Sequence, residues 1–183
     1  GMLVKSKVNF SNLLDQVMPK INDVLSNQGE NHKLTEFVSR YIHFQNILDM
    51  GEMKFTSDYC KWAKKKGYRL NERKAAEILA LAQNGIPTLP NSQSVKIAVS
   101  EAVKLIHSIE ESRNTILAQM QDLCNTLPEY SVVKEMDCIG DTLAPRIIAE
   151  IGDVRRFKNK HSLIAYAGID APPYQSGAFH ASE

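Results

Sequence analysis

This chain has little of what usually announces a function outright. Its formal net charge is +1, so any nucleic-acid site has to rest on local clusters rather than on a global footprint. The three cysteines, Cys60, Cys124 and Cys138, are odd in number and widely scattered. They suit neither a disulfide framework nor a zinc site, and reduced thiols in a cytoplasmic protein are the expectation. No apolar run approaches the roughly eighteen residues of a membrane span, and no signal-peptide core opens the chain. Walker-type and dinucleotide-type glycine loops are missing. His32, His43 and His107 are too widely separated for a metal-ligand pattern. There is no alternating strand of useful length, no internal repeat and no low-complexity tract.

What remains is a soluble globular composition, 43% hydrophobic and 23% charged. A length of 183 residues allows one domain with a good core, or two small ones joined by a long helix. Gly1-Met2 reads as a residue left by cloning ahead of a start codon. The end at Ser182-Glu183 reads as an excised stretch of a longer protein.

Helix signals dominate, and the expected fold class is all-α. Val8, Leu13, Leu14, Val17, Ile21, Val24 and Leu25 follow a period near 3.6, with Pro19 set to interrupt them. A second amphipathic stretch runs from Leu34 to Leu48, and a third, near 55–66, holds Trp62 and ends at Gly67. Asn71 is placed to cap a helix over 72–83 that Gly85 and Pro87 close. After a proline-punctuated linker, Val95, Val99, Ala102, Ile106, Ile109, Arg113, Ile116, Met120, Leu123 and Leu127 recur at alternating spacings of four and three. That seam predicts a long helix over 93–126. Its apolar stripe has to pair with a second copy or lie along the N-terminal helices. The expected organisation is a helical subdomain over 1–90, the long helix over 91–127, and a helix-hairpin-helix module over 128–183.

Three segments carry chemistry. Cys138-Ile139-Gly140-Asp141-Thr142 lies between two short helices and reads as a hairpin, with Gly140 letting the backbone turn. Amides around Gly140 and Thr142 could then face a phosphate oxygen, a contact without base information. Asp141 puts a negative charge where that anion would dock, and simple packing of the two helices explains the motif equally well. Arg155, Arg156, Lys158 and Lys160 form a basic patch just after a helix end; a solvated turn is the commoner outcome for such a cluster. Lys61, Lys64, Lys65, Lys66, Arg69, Arg73 and Lys74 surround Trp62 and Tyr68. Interleaved aromatics fit RNA or single-strand contact through Lys64 and Lys65, against the alternative of a solvated face over a core Trp62. Finally, Ser176 stands between Gln175 and Gly177 after Pro172-Pro173, a stiff setting that would present its hydroxyl. A phosphodiester nucleophile needs a base and cations; His161 and His180 are the local bases.

The stretch from about 127 to 177 resembles the C-terminal domain of the DEDD-type transposases of bacterial insertion sequences. Cys138-Ile139-Gly140, Ala149 to Asp153, Arg156-Phe157, Ala165 to Gly168 and Gln175-Ser176-Gly177 carry the resemblance. Cys138 departs from the pattern, where a glycine is usual. The resemblance implies that Ser176 is the strand-cleaving nucleophile. It also implies a RuvC-like domain whose acidic residues bind Mg²⁺, with no cofactor held by the residues here. DNA, a guide RNA and further copies of the chain, associating through the 93–126 helix, are the implied partners. The implied activity is cleavage and rejoining of DNA during transposition, to which this stretch would contribute binding and dimerisation but no catalysis by itself. A non-enzymatic helix-hairpin-helix module on a coiled coil is the alternative, and a purely helical dimerisation protein a third.

Overall fold

Apolar residues at helical spacing, punctuated by Pro and Gly, build a chain that is helical from Met2 onward. The computed structural model describes residues 1–26, 32–69 and 71–169, and the backbone of 175–176 and 179–180. The helices are α1 (Met2–Val17), α2 (Ile21–Val24), α3 (Lys33–Tyr41), α4 (Phe44–Met50), α5 (Glu52–Lys65), α6 (Glu72–Asn84), α7 (Gln93–Cys124), α8 (Glu129–Lys134), α9 (Ala144–Ile151) and α10 (Lys160–Tyr166). Beyond them, β1 (Gln175–Ser176) pairs antiparallel with β2 (Phe179–His180), the whole of the sheet among the described residues. The all-α expectation holds.

The chain divides into two compact units, Gly1–Asn114 and Thr115–Glu183. The first has the larger core. Phe37 and Tyr41 on α3, Phe55, Tyr59 and Trp62 on α5, and Tyr68 after it form a connected set of rings. Centroid separations run from 4.6 Å for Phe37–Tyr41 to 6.1 Å for Phe55–Tyr59. Spacings of three and four put those side chains on one face of each helix. At the rim, Arg40 donates twice to the Asp58 carboxylate, at 2.9 and 2.6 Å, and the Tyr41 hydroxyl donates to it at 2.8 Å. The Arg40 guanidinium holds the Asp58 carboxyl below the usual carboxylate range.

Two boundaries follow the sequence signals closely. α1 ends before Pro19, and the Asn71 side chain accepts from the Lys74 amide to cap α6. Gly85 closes α6, although its φ of −78° is one that any residue adopts. Glycine is needed there for space: a Cβ would stand 2.7 Å from the Leu81 carbonyl oxygen and 3.3 Å from the Pro19 ring.

The stretch expected as a single helix from Leu34 to Leu48 is two helices. Ile42 takes φ +62°, a left-handed conformation costly for a β-branched residue, and the chain turns there. Buried His43 supports the break with both ring nitrogens. Its Nδ1 accepts from the Gln45 amide as the cap of α4, and its Nε2 donates to the Leu89 carbonyl at 3.0 Å. The Asn46 side chain adds a bond to the Tyr41 carbonyl. Nothing local in a His-containing apolar run signals such a cap, because half of its partners lie 46 residues away.

α7 shows how the long seam is used. Val95, Val99, Val103 and Ile106 are buried in the core of the first unit. Further on, Ile116 is 57% exposed and Leu123 70%. The seam therefore changes role along its length. Ile106, expected in a surface for self-association, belongs to the chain's own core.

Candidate nucleic-acid interface

The second unit is built on a small buried set, Cys124, Tyr130 and Ala144, with Val133, Ile139 and Ile148 packed against it. This set holds α8 against α9 and fixes the hairpin between them. Cys138 carries the conformation on which the turn depends, with φ +66°. Gly140, expected to be the permissive residue, is not among those with positive φ, and a Cβ placed on it would meet open space. The turn's left-handed position is thus Cys138, the position where the resembled pattern has glycine. We predict that Cys138→Gly raises the thermal midpoint by a few degrees. Removal of a strained left-handed side chain, on the order of 1–2 kcal/mol, outweighs the added chain entropy of glycine, about 0.5–1 kcal/mol. Cys138→Ala should leave the midpoint unchanged. A lowered midpoint for the glycine variant in circular-dichroism melts would contradict this account.

The hairpin's backbone donors divide into two groups. The Leu143 and Ala144 amides both donate to the Gly140 carbonyl at 3.0 Å, and Pro145 has none to give. The amides of Gly140, Asp141 and Thr142 have no acceptor among the described residues. Gly140, Asp141 and Thr142 are all exposed. The Asp141 carboxylate is engaged: Lys134 Nζ stands 2.6 Å from Oδ1, and the Tyr130 hydroxyl donates to the same oxygen at 3.4 Å. Lys134 holds the Asp141 carboxyl below the usual carboxylate range. The charge that argued against an anion at this hairpin has a cation beside it.

After Gly152, which turns the chain at φ +64°, come the basic residues. Asp153 accepts from the Arg155 amide at 2.9 Å, starting a 3₁₀ turn over Val154–Arg156. The same oxygen accepts from Arg155 Nε at 2.8 Å. Asp153 therefore neutralises Arg155 and holds its guanidinium more strongly protonated, with a smaller contribution from Glu129. Arg156 is different. Its guanidinium carbon lies 4.7 Å from the centroids of both Phe157 and Tyr166. Exposed Lys158 and Lys160 form no ion pair among the described residues. The Asn159 side chain accepts from the Ser162 amide and caps α10, as its sequence position indicates.

Lys64 and Lys65 lie on the first unit, at the end of α5, and are exposed without an ion pair among the described residues. Neighbouring Lys66 pairs with Glu36 at 2.9 Å, and Arg73 with Glu77 at 3.2 Å. Lys74 donates to the Val24 carbonyl. Trp62 is 7% exposed and Tyr68 donates to Glu36, so the interleaved aromatics build the core rather than a stacking platform. Ser176 is described through its backbone, which pairs with Phe179; its side chain, and that of His180, lie outside the described residues. His161 is exposed on α10. Tyr166 was not legible as a site residue, because it meets Arg156 across the α10 loop at a separation without helical period.

Residues 130–183 match the family described as Transposase IS116/IS110/IS902. A similar protein of Streptomyces coelicolor, named as the insertion element IS110 uncharacterized 43.6 kDa protein, is 22% identical over 165 residues. That match covers 90% of this chain and 40% of the relative, so the chain spans well under half of the relative's length. No solved structure matches. Among the described residues no helix is long and apolar enough to cross a membrane.

Proposed function

Because residues 130–183 carry a domain of the IS116/IS110/IS902 transposase family, we propose that this chain is the nucleic-acid-binding C-terminal part of an insertion-sequence transposase. The observation that carries the proposal is the exposed hairpin whose Gly140, Asp141 and Thr142 amides have no acceptor among the described residues. Backbone donors without protein partners suit a phosphate oxygen, and their contact is independent of base sequence. Arg156, Lys158 and Lys160 supply charge, and Lys64 and Lys65 supply a second basic site for DNA or for a guide RNA. Lacking exposed aromatics, that second site works through phosphates alone.

In the complete transposase, Ser176 is the nucleophile. Its hydroxyl oxygen attacks a DNA phosphorus and the 3′- or 5′-oxygen of the broken strand leaves. The serine's proton passes to a base, for which His161 and His180 are the candidates in this stretch. Among the described residues no group of three or more His, Cys, Asp or Glu side chains could hold a metal ion. The Mg²⁺-binding carboxylates implied by the resemblance are assigned to other sequence of the transposase. Ile116, Met120 and Leu123 on α7 offer the apolar contacts for pairing with a second copy in the assembled enzyme. The competing reading, a non-enzymatic binding module, uses the same hairpin and differs at Ser176.

The 183-residue chain is expected to bind labelled duplexes of unrelated sequence with similar affinity. Log affinity should fall linearly with log salt, with a slope of roughly −0.9 per phosphate contact. Fluorescence anisotropy between about 50 and about 200 mM salt checks this. Affinity that does not respond to salt would remove the phosphate-clamp reading.

A further inference from the structure

We propose that Arg156, and not its neighbour Arg155, is the cation that meets the nucleic-acid phosphate, and that Phe157 and Tyr166 position its guanidinium for that contact. The inference rests on the nucleic-acid reading above and adds a division of labour to it. Two adjacent arginines, both exposed, receive opposite treatment from the fold. Arg155 is turned back on its own chain, with Nε 2.8 Å from Asp153 Oδ1 and Glu129 acting on it electrostatically. A phosphate would have to compete with a carboxylate already in place. The Arg156 side chain has no carboxylate partner and no hydrogen-bond acceptor among the described residues; only its backbone amide is engaged, donating to the Asp153 carbonyl at 3.1 Å.

Its guanidinium is nonetheless not left to wander. It stands 4.7 Å from each of two ring centroids, well inside the roughly 6 Å range of cation–π attraction. The rings themselves are 5.3 Å apart and inclined by 58°. Tyr166 is anchored in turn, its hydroxyl donating to the Glu150 carbonyl at 3.1 Å and so tying α10 to the end of α9. Phe157 follows Arg156 directly, at the exit of the 3₁₀ turn. Aromatic rings attract a guanidinium without offering it an oxygen acceptor, so its N–H donors remain available for a bidentate contact with two phosphate oxygens. Side-chain freedom that a surface arginine would lose on binding is already partly lost in the free protein. A lysine at this position would keep the charge but lose the planar fork.

Anisotropy titrations of the 183-residue chain with one duplex, over a range of salt, test the assignment. Arg156→Ala is expected to weaken binding about tenfold and to flatten the salt slope by roughly one unit, and Arg155→Ala to change affinity less than about twofold. Tyr166→Leu should cost about threefold, the size of one exposed cation–π contact, and Tyr166→Phe should restore most of it. The decisive reading is the double variant: Tyr166→Leu should cost nothing further once Arg156 is alanine, whereas a merely structural tyrosine would cost the same in either background. Equal losses for Arg155→Ala and Arg156→Ala, or additive losses in the double variant, would overturn the proposal while leaving nucleic-acid binding intact. A wild-type chain that binds no duplex at any salt would overturn both.

Discussion

Ser176→Ala, introduced into a transposase that carries this C-terminal sequence together with its upstream region, is expected to abolish strand cleavage and leave duplex binding within about twofold. The asymmetry follows from what is removed. A single hydroxyl is lost, and with it the atom that would bond to phosphorus, while every cationic contact and every hairpin amide remains. Loss of a covalent nucleophile lowers turnover by factors on the order of 10⁴ to 10⁶, because no neighbouring group takes over the attack. Two measurements on the same preparation make the test decisive: trapping of a covalent protein–DNA adduct, and anisotropy on the uncleaved substrate. Cleavage at the wild-type rate would leave Ser176 a strand residue of the β1–β2 pair and hand the chain to the binding-module reading. A parallel loss of binding would instead assign Ser176 a part in holding the backbone.

The second large effect concerns α7, where one apolar seam is expected to give two very different energies. Ile106→Ala removes a side chain that is 1% exposed in the first unit's core and should destabilise the chain by about 2–5 kcal/mol. Ile116→Ala, on the same helix but 57% exposed, should change the stability of the single chain by less than about 0.5 kcal/mol. Urea denaturation at low protein concentration reads both values. The proposed pairing predicts in addition that Ile116→Ala shifts a sedimentation profile towards smaller species at high concentration, because a buried isoleucine contributes roughly 1.5–3 kcal/mol at an interface. Similar stability losses for the two variants would mean that Ile116 is covered within a single chain. An unchanged profile would remove Ile116 from any contact between copies.

Much of the helical organisation was legible because it is written locally. Pro19, Asn71 and Asn159 act on backbone groups within four residues of themselves, so a linear reading reaches their partners. The hairpin and the basic segment were legible as residue types for the same reason. Their internal arrangement was not. The left-handed position falls on Cys138 rather than Gly140 because it is decided by how α8 and α9 pack on Tyr130 and Ala144, and the sequence carries no trace of that φ.

The break at Ile42 and His43 shows the limit most clearly. The apolar periodicity from Leu34 to Leu48 continues through it, yet the helix does not. A buried imidazole with a donor partner two residues ahead and an acceptor 46 residues on outweighs a turn of helix. The basic cluster around Trp62 shows the same limit in its chemistry: identical residue types could have made a stacking surface, and burial of the ring excluded it.

By itself, then, the sequence determined that this protein is helical, where most of its helices stop, and which stretch carries the transposase pattern, because those properties depend on neighbours along the chain. Tertiary structure alone decided which half of α7 is core, that Trp62 is buried, and that the Arg155 side chain is occupied by Asp153 while the Arg156 guanidinium rests against two rings without a carboxylate partner. Each of those outcomes turns on contacts brought together by packing, and a pattern along the chain records which residues are present but not which of them the fold leaves unpaired.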